Sequence, residues 1–159
     1  MAGRSFAINT ARDFYDKLLE DYKAYIEDPT SSGLAINVAL PAWHLSEWLY
    51  WENIASLITT YPSDTIYQLD LRTNLCPDLE IMRSIANGSK HCVPPGSNQR
   101  VQGTSMHIGD FSREFSREFD TTCLLINLDD GTEVDFEDVL ENVMNFWKSY
   151  VTTQFGWVL

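Results

Sequence analysis

A chain of 159 residues is long enough for one domain with a real apolar core, and needs neither disulfides nor metal to fold. Hydrophobic residues make up 44% and aromatic residues 13% against 6 Pro and 8 Gly, a balance that excludes a disordered chain. A net charge of -12 excludes a general nucleic-acid binder, which would need a basic face toward the phosphates.

The charge is unevenly spread. Residues 1–82 hold 5 basic and 12 acidic side chains, residues 83–117 hold 5 basic and 2 acidic, and residues 118–147 hold 9 acids and no base. Such a pattern fits a small basic site on an acidic body, an acidic surface that meets a basic partner, or a merely solvated exterior. No apolar run approaches the roughly 18 residues of a membrane span, and the N-terminus has no signal-peptide core. Cys76, Cys92 and Cys123 lack C-x-x-C spacing and read as reduced thiols. These features predict a cytoplasmic protein with no membrane partner.

Thr10 with Asp13 three residues on is a helix start, and Phe14, Leu18, Tyr22 and Tyr25 recur at helical spacing to about Asp28, where Pro29 ends the run. A second helix begins near Ser32. Pro41 lies inside it and, lacking an N–H, is expected to kink or split it. Trp43, Trp48, Tyr50 and Trp51 are more aromatic volume than one helix face can carry, so this helix reads as central, with Asn37 and His44 as polar groups close to the core. A short helix from about Asp64 follows, then a fourth opened by Pro77 and ended by Pro94-Pro95-Gly96.

The Gly-, Ser- and Gln-rich stretch 93–106 reads as a surface loop. Phe111, Phe115 and Phe119 are four apart, which fits a helix face or a strand face; extended structure is the expectation. T-T-C-L-L-I-N-L, the turn Asp129-Asp130-Gly131 and T-E-V-D-F form a hairpin over about 121–136. Asp135 caps a last helix, about 136–151, striped by Phe136, Val139, Leu140, Val143, Trp147 and Tyr150. The predicted fold is a mainly α single domain: a bundle of four to five helices, its first part over about 10–92, with a small β-hairpin before the C-terminal helix.

Three groups of side chains could carry function. Arg83, Asn87 and His91 fall on one face of the fourth helix, with Lys90 beside His91. A neutral His among cations can serve as general base and Arg as phosphate clamp, which suits metal-independent cleavage of RNA through its own 2′-OH. The plainer reading is a helix end whose Lys and His complement the macrodipole and whose Asn-Gly turn closes it. His44 and Glu47, an i, i+3 pair, could support that site or, with His91 and His107, hold a metal; a structural histidine is the alternative, and no repeated E-x-x-H pair favours metal. In the acidic tract, Asp129, Asp130, Glu133, Glu137 and Asp138 could form a binding face for a basic protein or nucleoprotein complex. The D-x-D-x-D-G spacing of a calcium loop is missing there, and no cofactor signature occurs anywhere in the chain.

The pieces A-W-H-L-S-E-W at 42–48 and R-S-I-A-N-G-S-K-H at 83–91, after A-R-D-F-Y-D-K-L-L-E-D-Y at 11–22, resemble a set of small bacterial and phage proteins and, more distantly, the HEPN superfamily of helical domains. The resemblance covers about residues 10–92. It implies a role in toxin–antitoxin or phage-defence conflict, a ribonuclease site with Arg83 and His91 catalytic and Asn87 auxiliary, and assembly as a homodimer. HEPN nucleases separate that Arg and His by roughly four to six residues, whereas seven lie between them here. Two functions fit these residues. One is a HEPN-like ribonuclease, or a degenerate relative, acting on RNA with His44 and Glu47 in support; the other is a non-enzymatic acidic protein, such as a phage-encoded inhibitor or nucleic-acid mimic, that binds a basic host complex.

Overall fold

Thr10 begins the ordered helical layer. In the computed structural model, which describes residues 6–91, 99–112, 116 and 118–159, its hydroxyl accepts from the Asp13 amide at 3.0 Å. The Asp13 carboxylate in turn accepts from the Thr10 amide at 2.9 Å, and this reciprocal box opens α1, Ala11–Glu27. The same carboxyl is held below its ordinary range, chiefly by the Asn9 backbone N–H.

Helix α2, Ser32–Glu52, is capped by the Ser31 hydroxyl and packs against α1 and the later helices as the central element. The expected break at Pro41 does not split it: the helix runs on as one piece. The missing N–H orphans only the carbonyl of Asn37, and Asn37 is exposed, so water can replace the lost bond. Trp43, Leu45, Leu49 and Tyr50 are buried, but Trp51 is 55% exposed. Asn37 and half-exposed His44 are therefore not the core polar groups expected.

Short helices α3, Ile54–Leu57, and α4, Asp64–Asp70, lead through a π-helical turn, Leu71–Leu75, to α5, Asp78–Lys90. Pro77 stands at the N-cap of α5, one place before the first helical position expected for it. An aromatic cluster fills this end: the Tyr67 ring lies 5.7 Å from Tyr50 and 5.2 Å from Tyr61, and the Tyr61 hydroxyl donates to Asp70 at 2.8 Å. The fully buried Tyr67 hydroxyl makes no bond of ordinary geometry, although the Tyr150 phenol is close enough to perturb it. Cys76 is buried between the π turn and α5.

Strands β1, Val101–His107, β2, Cys123–Leu128, and β3, Glu133–Asp135, form an antiparallel sheet in the order β1-β2-β3. The predicted hairpin is β2–β3. Strand β1 corrects the loop expected over 93–106, of which residues 93–98 lie outside the described residues. Its polarity, V-Q-G-T-S-M-H, concealed it: it is an edge strand, largely exposed, with a bulge between Val101 and Gly103. Phe115 also lies outside the described residues, while Phe111 bridges to Thr121 in extended form and its ring meets Phe119 at 5.2 Å. Helix α6, Phe136–Phe155, starts at Asp135, whose carboxylate accepts from the Glu137 amide at 2.9 Å, and ends at left-handed Gly156. Its stripe is buried as predicted through Trp147, whose indole N–H donates to the Ala42 carbonyl at 2.8 Å. The result is a single mainly helical domain, with the sheet laid before its last helix.

Candidate functional site

The α5 residues do not assemble as the sequence suggests. The helix ends at Lys90, and His91 is the C-cap, with φ -126 and ψ 124 and an exposed side chain. It stands at the end of the face that Arg83 and half-buried Asn87 occupy, its amide still donating to the Asn87 carbonyl at 3.0 Å. Arg83 is already engaged: its Nε lies 3.1 and 3.0 Å from the two Glu80 carboxylate oxygens, and its Nη2 lies 2.5 Å from one of them. Arg72 pairs with the same carboxylate from the π turn. Glu80 thus clamps two guanidinium groups and locks the charge of Arg83 in place. Sequence reasoning passed over Glu80, although its i, i+3 spacing to Arg83 is the signal that finds it.

His44 and Glu47 lie elsewhere. They line a groove of about 540 Å³ between α1 and α2, with Lys17, Asp21 and Asn37 around them and the stacked rings of Phe14 and Trp48, 5.1 Å apart, beneath. The His44 Nδ1 is 3.7 Å from a Glu47 oxygen, too long for a hydrogen bond but within ion-pair reach if the ring is protonated. Pro41 also lines this groove, and its effect is to leave the Asn37 carbonyl as a spare acceptor. None of Arg83, Asn87 and His91 shares it. The catalytic group nominated from sequence is thus divided between two places.

The acidic residues are closer to their expected arrangement. Arg100, at the foot of β1, pairs with Asp129 and, at 2.9 Å, with Asp130. The Asp130 carboxyl is held down to about 2, first by the Thr132 hydroxyl, then by the Thr132 amide and Arg100. Glu133 and Asp138 are exposed, and Glu137 is half-buried at the start of α6. His107 and Asp120 form a further pair at 2.5 Å, which keeps Asp120 ionised to lower pH than usual. The two lie thirteen positions apart in the chain, so no local spacing announced it.

A second cleft of about 540 Å³ opens where α2 begins, α5 ends and β1 and β2 pass. No nominated residue lines it. Among the described residues no three His, Cys, Asp or Glu side chains gather as a metal site, and no helix is long and apolar enough to cross a membrane. No family model, curated protein or solved structure matches this chain.

Proposed function

We propose that the protein is a binding module whose acidic end, formed by the β2–β3 turn and the first turns of α6, docks a basic protein or nucleoprotein partner. The observation that supports this is charge segregation: residues 118–147 carry 9 acids and no base. Among the described residues, Arg100 answers Asp129 and Asp130, which leaves that turn net negative, while Glu133, Asp138 and Glu141 remain exposed. A surface of one sign attracts its opposite over about one Debye length, roughly 8 Å at physiological salt. Titrating a labelled arginine-rich peptide tests the reading. Glu133→Gln, Asp138→Asn and Glu141→Gln together should weaken binding about tenfold at low salt. A control that removes as many charges from α1 and its end, Glu20→Gln, Glu27→Gln and Asp28→Asn, should change it far less. Equal loss in both would reduce the effect to net charge and overturn the assignment.

A second reading is favoured by one observation, the exposed Lys90 and His91 at the end of α5. In it the chain is a HEPN-like ribonuclease of phage–host conflict, in which two copies would complete the site around Arg83, Asn87 and His91, with His44 and Glu47 in support. Cleavage of labelled RNA that disappears in His91→Ala and Arg83→Ala would establish it; RNA left intact by wild-type protein would remove it.

A further inference from the structure

We propose that the cleft beside β1 receives an extended, uncharged peptide segment of a partner protein as an added strand. Strand β1 hydrogen-bonds to β2 along one edge, and among the described residues nothing pairs with the other. The register sets Val101, Thr104 and Met106 opposite Leu128, Ile126 and Leu124, so all six face the helical layer. That layer buries Leu124, Ile126 and Leu128 and takes half-buried Val101 against the core, but it leaves Met106 49% exposed.

The gap left between β1 and the helices is the cleft of about 540 Å³. Ile36 of α2 and Ile85 and Gly88 of α5 form its far wall, and buried Ile126 and Phe136 its floor. Gly103 and Ser105 line it as well as Thr104 and Met106. Gly103 has no side chain, so the β1 backbone itself borders the cleft. A groove between an open strand edge and a helix is the geometry of strand addition, in which main-chain bonds supply affinity and alternate side chains enter the groove.

The chemistry of the occupant follows from the lining. Although 21% of the chain is charged, no charged side chain lines the cleft among the described residues. A phosphate or carboxylate would find no counter-charge there, whereas small aliphatic side chains would meet Ile85, Met106 and Ile126. The seven residues of β1 offer an edge of about 23 Å, enough for roughly five to seven residues of partner. A second copy of the chain is disfavoured as occupant by a charge of -12 on each molecule.

The test uses a capped hexapeptide of alternating threonine and valine, followed by the amide signals of Gln102 to Met106. Saturable shifts confined to β1 and the end of α5, with slowed hydrogen exchange at the open edge, are expected. Gly88→Trp should fill the cleft from α5 without disturbing the fold, because a Cβ at Gly88 meets nothing within 4 Å. It should weaken the peptide about tenfold while leaving circular dichroism and melting temperature unchanged. A version N-methylated along its backbone should not bind. Silence of the β1 amides at about 1 mM peptide, binding indifferent to Gly88→Trp, equal binding of a peptide with glutamate in place of valine, or concentration-dependent dimerisation through β1 would each overturn the proposal.

Discussion

The helical layer and the sheet treat their polar atoms in opposite ways. At the aromatic end of the helices, phenols and an indole are turned inward: Trp147 bonds a carbonyl of α2, Tyr50 bonds the Tyr61 carbonyl at 2.9 Å, and Tyr67 has no exposed surface. On the sheet side, the ion pairs Arg100–Asp129 and Arg100–Asp130 and the hydrogen-bonded pair His107–Asp120 stand largely in solvent. Interior burial stabilises strongly and exposed pairs weakly. The difference teaches that folding free energy resides in the helices and in the inward side chains of β2, Leu124, Ile126 and Leu128, while β1 and the acidic turn add little to it.

Trp147→Ala is the severest test of that division. Removing a fully buried indole between α6 and α2 should cost about 3–5 kcal/mol in denaturant unfolding. A loss below about 1 kcal/mol would mean that the core lies elsewhere. Next in size is the response to alkali. Burial, and secondarily Asp70, push the Tyr61 phenol up to about 12, and burial raises Tyr67 and Tyr150 as well. A raised phenol favours the folded state as long as it is protonated. That contribution is complete below the unfolded value near 10 and is lost as pH rises through about 12. Thermal melting should therefore fall across this window, and less so in Tyr61→Phe.

A smaller effect of opposite sign comes from Tyr67→Phe. Deleting a buried hydroxyl without a good partner should raise stability by about 1 kcal/mol. A fall instead would show that Tyr150 is truly bonded to it in solution. The smallest effect belongs to the sheet. Asp120 and Asp130 are shifted down from 3.8, so their pairs favour folding above that value and weaken as pH falls below it. Both side chains are about half exposed, so mild acid and Arg100→Gln should speed amide exchange in β1 while scarcely moving the global melt.

The same contrast explains what could be read from the chain. Thr10, Asp13 and Asp135 act through neighbours two or three residues away, and the stripe of α6 repeats every turn, so helix ends and faces were visible. Strand β1 carried no such local sign, because an edge strand keeps Gln, Thr and Ser that a loop would also carry. Candidate sites fared worse for a related reason. The face of Arg83, Asn87 and His91 ends at the C-cap of α5, and Arg83 on it is already paired with Glu80. The cleft beside β1 draws its walls from α2, α5, β1, β2 and α6, and no spacing rule joins elements so far apart.

The buried thiols place a reporter in each half of this contrast. Cys76 sits at the junction with α5, its thiol pushed up to about 11 by burial, and Cys123 lies in β2. Neither can react with an alkylating agent at neutral pH until its surroundings open. With Cys92 changed to Ser, two modification rates read side by side would time the breathing of helices and sheet independently, and the molecule would carry its own pair of clocks.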